Sequence, residues 1–320
     1  MESKNKIFMT TGIKYSIIIP HYDIPHLLGR LLNTIPERED VQVIVVDDCS
    51  PECDTYLGKY AFLNRSNVEF YITDKNGGGG YARNEGLKHA KGKWLLFADA
   101  DDLFVDGFCE ILDEHYYDEE DIIFFFVKGV CSDDLSRNNL RDDYWNKECQ
   151  KYLQTSDDKI LRYKLVEPWC KMIRREMVVQ NNVRFDETRV TNDYFFSVQA
   201  GYYAHKIKLV PAVMYIHTQR EHSVSSGGWA DTTANLRVRL DVAIRVQTFL
   251  QGKGVALTPM PIRGFMVLAL KNCPSLFFGT LYRLHKQNIS ILSLLWQMLF
   301  YAESLWTFIP LKFLKDKKDS

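Results

Sequence analysis

Residues 41–48 read VQVIVVDD, and residues 93–102 read KWLLFADADD. In both, an apolar run without polar alternation ends abruptly in carboxylates. Such a run predicts a strand buried on both faces, as in a sheet covered by helices on each side. The same texture recurs in residues 15–20 (YSIIIP), 68–73 (VEFYIT) and 122–127 (IIFFFV). Between these runs, Leu27, Leu28, Leu31, Leu32 and Ile35 fall at helical spacing, residues 82–90 form a helix stopped by Gly92, and Phe108, Ile111 and Leu112 mark another. Alternating strands and helices predict an α/β fold with a mostly parallel central sheet flanked by helices, Rossmann-like in its handedness. The loops after the strands then share one edge, where ligands bind in such sheets. Asp48 and the DADD cluster lie on that edge.

The rest of the chain fits an ordinary globular protein. It has 320 residues, a net charge of −1, 46% hydrophobic and 25% charged residues, which excludes a collagen, a disordered polymer and a generic polyanion binder; nucleic acid is not an expected partner. Seven cysteines without any C-x-x-C pair argue against zinc ribbons and disulfide frameworks and suit reduced thiols in a cytosol. Residues 1–12 lack a signal-peptide core, and no uncharged apolar run reaches the length of a membrane span. Residues 132–150 read as a polar loop, and residues 166–218 as a second α/β stretch. Beyond Gly227-Gly228 the pattern turns helical, over 233–250, 264–284 and 289–308. Residues 255–320 hold eight Lys and Arg against Glu303, Asp316 and Asp319, and are rich in Leu, Phe and Trp. That pairing suits an anionic membrane surface and equally a helical subdomain packed on a core. The expected organisation is 13–230 as one domain (a nucleotide-binding half at 13–110, an acceptor half at 111–230) and 231–320 as a helical extension that could associate with a membrane.

Three carboxylates within four positions, Asp99, Asp101 and Asp102, repel one another, and a cation relieves that repulsion. Oxygen-only ligands favour manganese or magnesium, which keep positions open for water and phosphate oxygens. The plainer alternative is a solvated acidic loop whose Asp106 caps the next helix. Residues 76–82 (NGGGGYA) open the helix that carries Arg83, and their glycines let a backbone approach a ligand. Gly77, Gly79 and Ala82, with Asp99 downstream, also fit a loose dinucleotide fingerprint and hence an oxidoreductase. Against that, the glycines follow the third strand instead of the first. No GxxxxGK[ST] occurs, so a P-loop is excluded.

Several blocks in order resemble family 2 glycosyltransferases: residues 16–23 (SIIIPHYD), 43–50 (VIVVDDCS), 76–102, 167–178 (EPWCKMIRREMV), 183–197 (VRFDETRVTNDYFFS) and 214–225 (MYIHTQREHSVS). The resemblance covers residues 15–225. It implies a GT-A fold, a nucleotide-sugar donor (UDP by default), a divalent metal, Mn2+ or Mg2+, and transfer with inversion to a saccharide or lipid-linked saccharide at the inner-membrane surface, as in capsule or other cell-surface polysaccharide biosynthesis. Carried over by position, Pro20 and Tyr22 border the base, Asp48 contacts uracil, and Asn76 and Arg83 lie at the donor. Asp99 and Asp101 form the D-x-D, with Asp101 the direct metal ligand and Asp102 its neighbour. Asp193 is the catalytic base, Lys171 beside Trp169 contacts a phosphate or only snorkels over a core Trp, and Arg220 or His217 adds positive charge from a closing loop. Asp193 also suits a helix cap. Two departures, Asn192 where the family often has Glu and Asp23 where the first block usually ends in Asn, leave open a non-catalytic binding subunit.

Overall fold

The computed structural model describes residues 12–139, 143–220, 233–255 and 262–287. The chain forms two compact units, Met1–Ser226 and Gly227–Ser320.

The first unit begins β1 (Tyr15–His21), α1 (Pro25–Leu32), β2 (Val41–Asp47), the short α2 (Tyr56–Lys59), β3 (Val68–Ile72), α3 (Gly79–His89) and β4 (Trp94–Phe97). It continues β5 (Leu103–Phe104), α4 (Phe108–Glu114), β6 (Ile122–Cys131), α5 (Asp143–Thr155), α6 (Asp158–Tyr163), β7 (Lys171–Arg174), α7 (Arg175–Gln180), α8 (Tyr194–Tyr203) and β8 (Ile207–Gln219). The strands make one sheet in the order β3-β2-β1-β4-β7-β6-β8-β5. β3, β2, β1 and β4 run parallel, with Tyr15 opposite both Val41 and Trp94. β7 is antiparallel to both β4 and β6, while β8 runs parallel to β6. Every residue of β2 and β4 is buried, and α3 packs on β1 and β2. Each buried Val, Ile or Leu contributes about 1.5–3 kcal/mol of transfer free energy, so the apolar runs that end in carboxylates are also the rigid floor beneath them. α3 comes close to the Asp186 backbone: a Cβ on Gly80 would stand 2.0 Å from the Asp186 carbonyl oxygen, so only glycine fits there.

The second unit holds α9 (Thr233–Gly252), α10 (Ile262–Asn272) and α11 (Pro274–Lys286), which pack on one another. An Arg283–Asp241 ion pair and a hydrogen bond from Thr248 Oγ1 to Gln287 Oε1 join α11 to α9 and its flank. Among the described residues no helix is long and apolar enough to cross a membrane. All seven cysteines are free.

Three expectations change. The segment expected as a loop to residue 150 contains α5, whose Trp145 and Cys149 are buried while its other face is polar; low overall hydrophobicity hid a helix with a narrow apolar stripe. The helix expected over 264–284 is two, broken at Cys273–Pro274, because proline has no N–H for the ladder. The residue preceding α4 is Gly107 in a left-handed conformation, so Asp106 is not its cap. The helix expected over 289–308 lies outside the described residues.

Candidate functional site

Strand directions decide what meets at the rim. The C-terminal ends of β1, β2 and β4 deliver residues 22–23, Asp48 and the 99–102 cluster. Because β7 is antiparallel to β4, the residues before β7, Glu167 to Cys170, arrive at the same rim. β8 ends there too, bringing His217, Thr218 and Arg220. Backbone strain collects around it. Of six described non-glycine residues with positive φ, four are Asp23, Cys49, Cys170 and Thr191, each within two residues of a candidate site residue. Such conformations cost about 1–3 kcal/mol each and persist where surrounding structure enforces them.

On the β1–β2 side, Asp47 is fully buried; His21 Nδ1 lies 2.6 Å from its Oδ2, and Ser50 donates to both its oxygens. The Ile24 amide donates to His21 Nε2, which places the imidazole proton on Nδ1, facing Asp47. His21 therefore fixes the loop. Asp48 accepts from the Gly77 and Gly78 amides at 2.9 and 2.7 Å. A carboxylate thus occupies the glycine-loop amides that a dinucleotide pyrophosphate would need, and the loop follows an edge strand; the oxidoreductase alternative has no footing. Tyr22 is exposed (48%), Asn76 is exposed and Pro20 half-buried, all beside this loop or strand end.

The acidic cluster is three differently held carboxylates. Arg83, almost buried, donates to Asp99 Oδ1 at 2.5 Å and to Asn192 Oδ1 at 3.0 Å. Arg220 Nε donates to Asp101 Oδ2 at 2.9 Å. The Asp101 carbonyl accepts from Arg30 and from Thr218 Oγ1, and Arg30 also holds Ser132. Burial, and then the charge of Asp99, push the Asp101 carboxyl above the usual range. Asp102 corrects the expectation of a metal neighbour: it is 1% exposed, with Oδ2 accepting from Tyr215 and Oδ1 from the Thr218 amide. It anchors the loop to β8, and burial raises its carboxyl well above the ordinary value.

Among the described residues no group of three or more His, Cys, Asp or Glu side chains could by itself hold a metal ion. Asp99 and Asp101 each keep one carboxylate oxygen that no described side chain takes, and their mutual repulsion is only partly offset by Arg83 and Arg220. That donor set fits a hard dication held by one or two carboxylates and completed by diphosphate oxygens and water.

The third part of the rim is Asp193, which occupies the N-cap position of α8 yet makes no side-chain capping hydrogen bond. It is half-buried. Burial raises its carboxyl, Arg83 and Lys171 lower it, and Asp99 raises it. Two assignments shift here. Lys171 is 3% exposed, and its Nζ donates to the Leu165 carbonyl at 2.6 Å over the Phe124 and Trp145 rings, so it faces the core instead of a phosphate. Burial lowers its ammonium to about 8. His217 belongs to β8 and stacks on Trp169 at 5.2 Å, so it is not on a closing loop. Arg30 and Tyr215 were not foreseen; their partners are remote in sequence, and no local pattern announces them.

A family model described as Glycosyl transferase family 2 matches residues 16–180. The poly(ribitol-phosphate) beta-N-acetylglucosaminyltransferase TarS of Staphylococcus aureus (strain MW2) is 25% identical over 245 residues, 73% of this chain and 40% of that protein. The minor teichoic acid biosynthesis protein GgaB of Bacillus subtilis (strain 168) is 35% identical over 131 residues, 36% of this chain and 14% of that protein. The chain thus spans less than half the length of these relatives. Among solved structures, S. aureus TarS 1-349 in complex with UDP-GlcNAc superposes with a TM-score of 0.59 at 21% identity, covering 84% of this chain and 80% of that one. The mannosyltransferase PcManGT from Pyrobaculum calidifontis, in complex with GDP-Man and Mn2+, superposes with a TM-score of 0.51 at 17% identity, covering 91% and 80%. These likenesses show a GT-A-like fold.

Proposed function

Since the chain belongs to glycosyl transferase family 2, we propose that it is an inverting transferase that moves a sugar from a UDP-sugar to a hydroxyl of a cell-surface glycopolymer. The donor class is supported by a structural neighbour that binds UDP-GlcNAc. The acceptor class is supported by relatives named for poly(ribitol-phosphate) and minor teichoic acid biosynthesis. We assign the nucleotide side to Pro20, Tyr22, Asp48 and Asn76, and Asp193 to the acceptor.

The step is a single displacement. The acceptor oxygen forms its bond to the anomeric carbon as the bond from that carbon to the diphosphate oxygen breaks. The leaving nucleoside diphosphate takes the electron pair, and Asp193 takes the hydroxyl proton. Arg83 opposes the rise that burial imposes on the Asp193 carboxyl and orients Asp99; Arg30 and Asp102 hold the 99–102 loop still, so positive groups face the leaving diphosphate without reorganisation. Asp101 and Asp99 would hold a manganese or magnesium ion, which when bound supplies positive charge against that diphosphate.

The observation that carries this reading is Asp193, a half-buried carboxylate at a helix start that caps nothing and sits in the field of Arg83. Asp193→Asn should lower transfer by about 10²–10⁴ while UDP binding stays unchanged; full activity in the variant would refute the assignment. We also place residues 13–230 as the catalytic part and 231–320 as a helical extension on the cytoplasmic face of the membrane. Its anchoring stretch, 289–318, lies outside the described residues. Flotation with anionic liposomes should disappear when residues 289–318 are deleted.

A further inference from the structure

Glu167 is a half-buried residue to which this mechanism gives no task. It stands four residues before β7 reaches full register, on the rim shared with Asp99. Its Oε2 is shut off from solvent and has no hydrogen-bond partner among the described residues. Lys171 lowers the Glu167 carboxyl through its charge alone: its Nζ donates to the Leu165 carbonyl and forms no ion pair with Glu167 among the described residues. The segment is not free to turn away, because Pro168 is buried, Trp169 is stacked on Tyr215 at 5.6 Å and on His217, and Cys170 is held at φ 60°. Burial pushes the Glu167 carboxyl up to about 7 against the pull of nearby backbone amides and of Lys171, and the charge of Asp193 adds to that rise, so the two carboxyls share one neighbourhood. Tyr194, the residue after Asp193, lies in the field of both.

A buried carboxyl oxygen without a donor is unfavourable for the free protein and favourable once a ligand hydroxyl reaches it. We propose that Glu167 determines acceptor specificity: its Oε2 accepts a hydrogen bond from a second acceptor hydroxyl, adjacent to the one that Asp193 deprotonates. The enzyme then selects acceptors that present neighbouring hydroxyls, such as a polyol or a sugar diol. This rests on the transferase reading above and deepens it. Asp193 does the chemistry on one hydroxyl; Glu167 fixes the other and so chooses which oxygen attacks. A site that hydrogen-bonds a substrate hydroxyl discriminates strongly against the analogue lacking it, because its own polar group is then stranded.

The test compares wild type, Glu167→Gln and Glu167→Met with UDP-N-acetylglucosamine and manganese. The acceptors are short poly(ribitol phosphate) and synthetic oligomers in which single hydroxyls are replaced by hydrogen. Donor hydrolysis, donor KM and thermal midpoint report on the donor site and on folding. The expected result is an acceptor KM raised about tenfold or more in both variants, donor KM and hydrolysis within about twofold of wild type, and loss of the wild-type preference for the intact diol. A variant that keeps the wild-type acceptor KM, or loses rate equally on intact and deoxy acceptors, overturns the assignment of Glu167 alone. A wild type that neither binds nor hydrolyses any UDP- or GDP-sugar overturns the transferase reading, and Glu167 with it.

Discussion

Tyr215→Phe removes one oxygen and leaves the ring. In the wild type that oxygen does two things at once: it accepts from the Asp99 amide at 2.9 Å and donates to Asp102 Oδ2 at 2.8 Å. Tyr215 and Asp102 are 0% and 1% exposed, so water cannot replace either bond. The ring contacts with Phe104 and Trp169 survive the change, and no cavity larger than the hydroxyl appears. The loss is therefore one hydrogen bond to a carboxyl, about 1.5–3 kcal/mol if ionised, and one stranded amide, about 1–3 kcal/mol. The two share an atom and do not simply add, so the expected destabilisation is about 2–4 kcal/mol. For a unit of this size that lowers the thermal midpoint by roughly 5–15 °C. Urea unfolding followed by tryptophan fluorescence measures it, provided the m-value is unchanged. The 99–102 loop should also loosen, so calorimetric titration with UDP and manganese should show weaker binding. A stability change under about 1 kcal/mol together with wild-type binding would refute the view that Asp102 is the loop's anchor.

Two further outcomes follow from the charges. Lys171→Met should leave donor KM unchanged, since its Nζ faces the Leu165 carbonyl, yet shift the acid limb of the kcat/KM profile to higher pH; Lys171 lowers the Asp193 carboxyl, and its removal lets burial raise that carboxyl further. An unmoved acid limb would contradict the electrostatic link. Arg38 holds Asp40 down at about 2, chiefly through its hydrogen bonds, and also binds Asp113. A depressed carboxyl stabilises the fold above its unfolded value near 4 and loses that contribution as pH falls toward 2. The wild-type thermal midpoint should thus drop between about pH 4 and pH 2, and Arg38→Ala should start lower at pH 6 and fall less steeply.

The β1, β2 and β4 cores were legible because a strand buried on both faces has few other compositions available, and a carboxylate at its end has nowhere to go but the rim. Asp48, Asp99, Asp101 and Asp193 could be named for that reason and from the order of the motif blocks. What each carboxylate does was not legible. Asp101 and Asp102 are neighbours of the same type, yet one faces Arg220 and the cleft while the other is sealed under Tyr215, and the difference comes from a strand more than 110 residues away. Lys171 beside Trp169 reads equally as a phosphate ligand and as a core lysine; only the Leu165 carbonyl beside its Nζ decides.

By itself, the sequence determined the layered α/β plan, the edge on which the candidate site residues gather, and the residue types available there, because apolar periodicity and chain direction act over a few residues at a time. The tertiary structure alone decided which carboxyls are open and which are held, and it brought Arg30, Tyr215 and Glu167 to the rim, because antiparallel β7 and long-range hydrogen bonds join segments whose separation along the chain leaves no local trace.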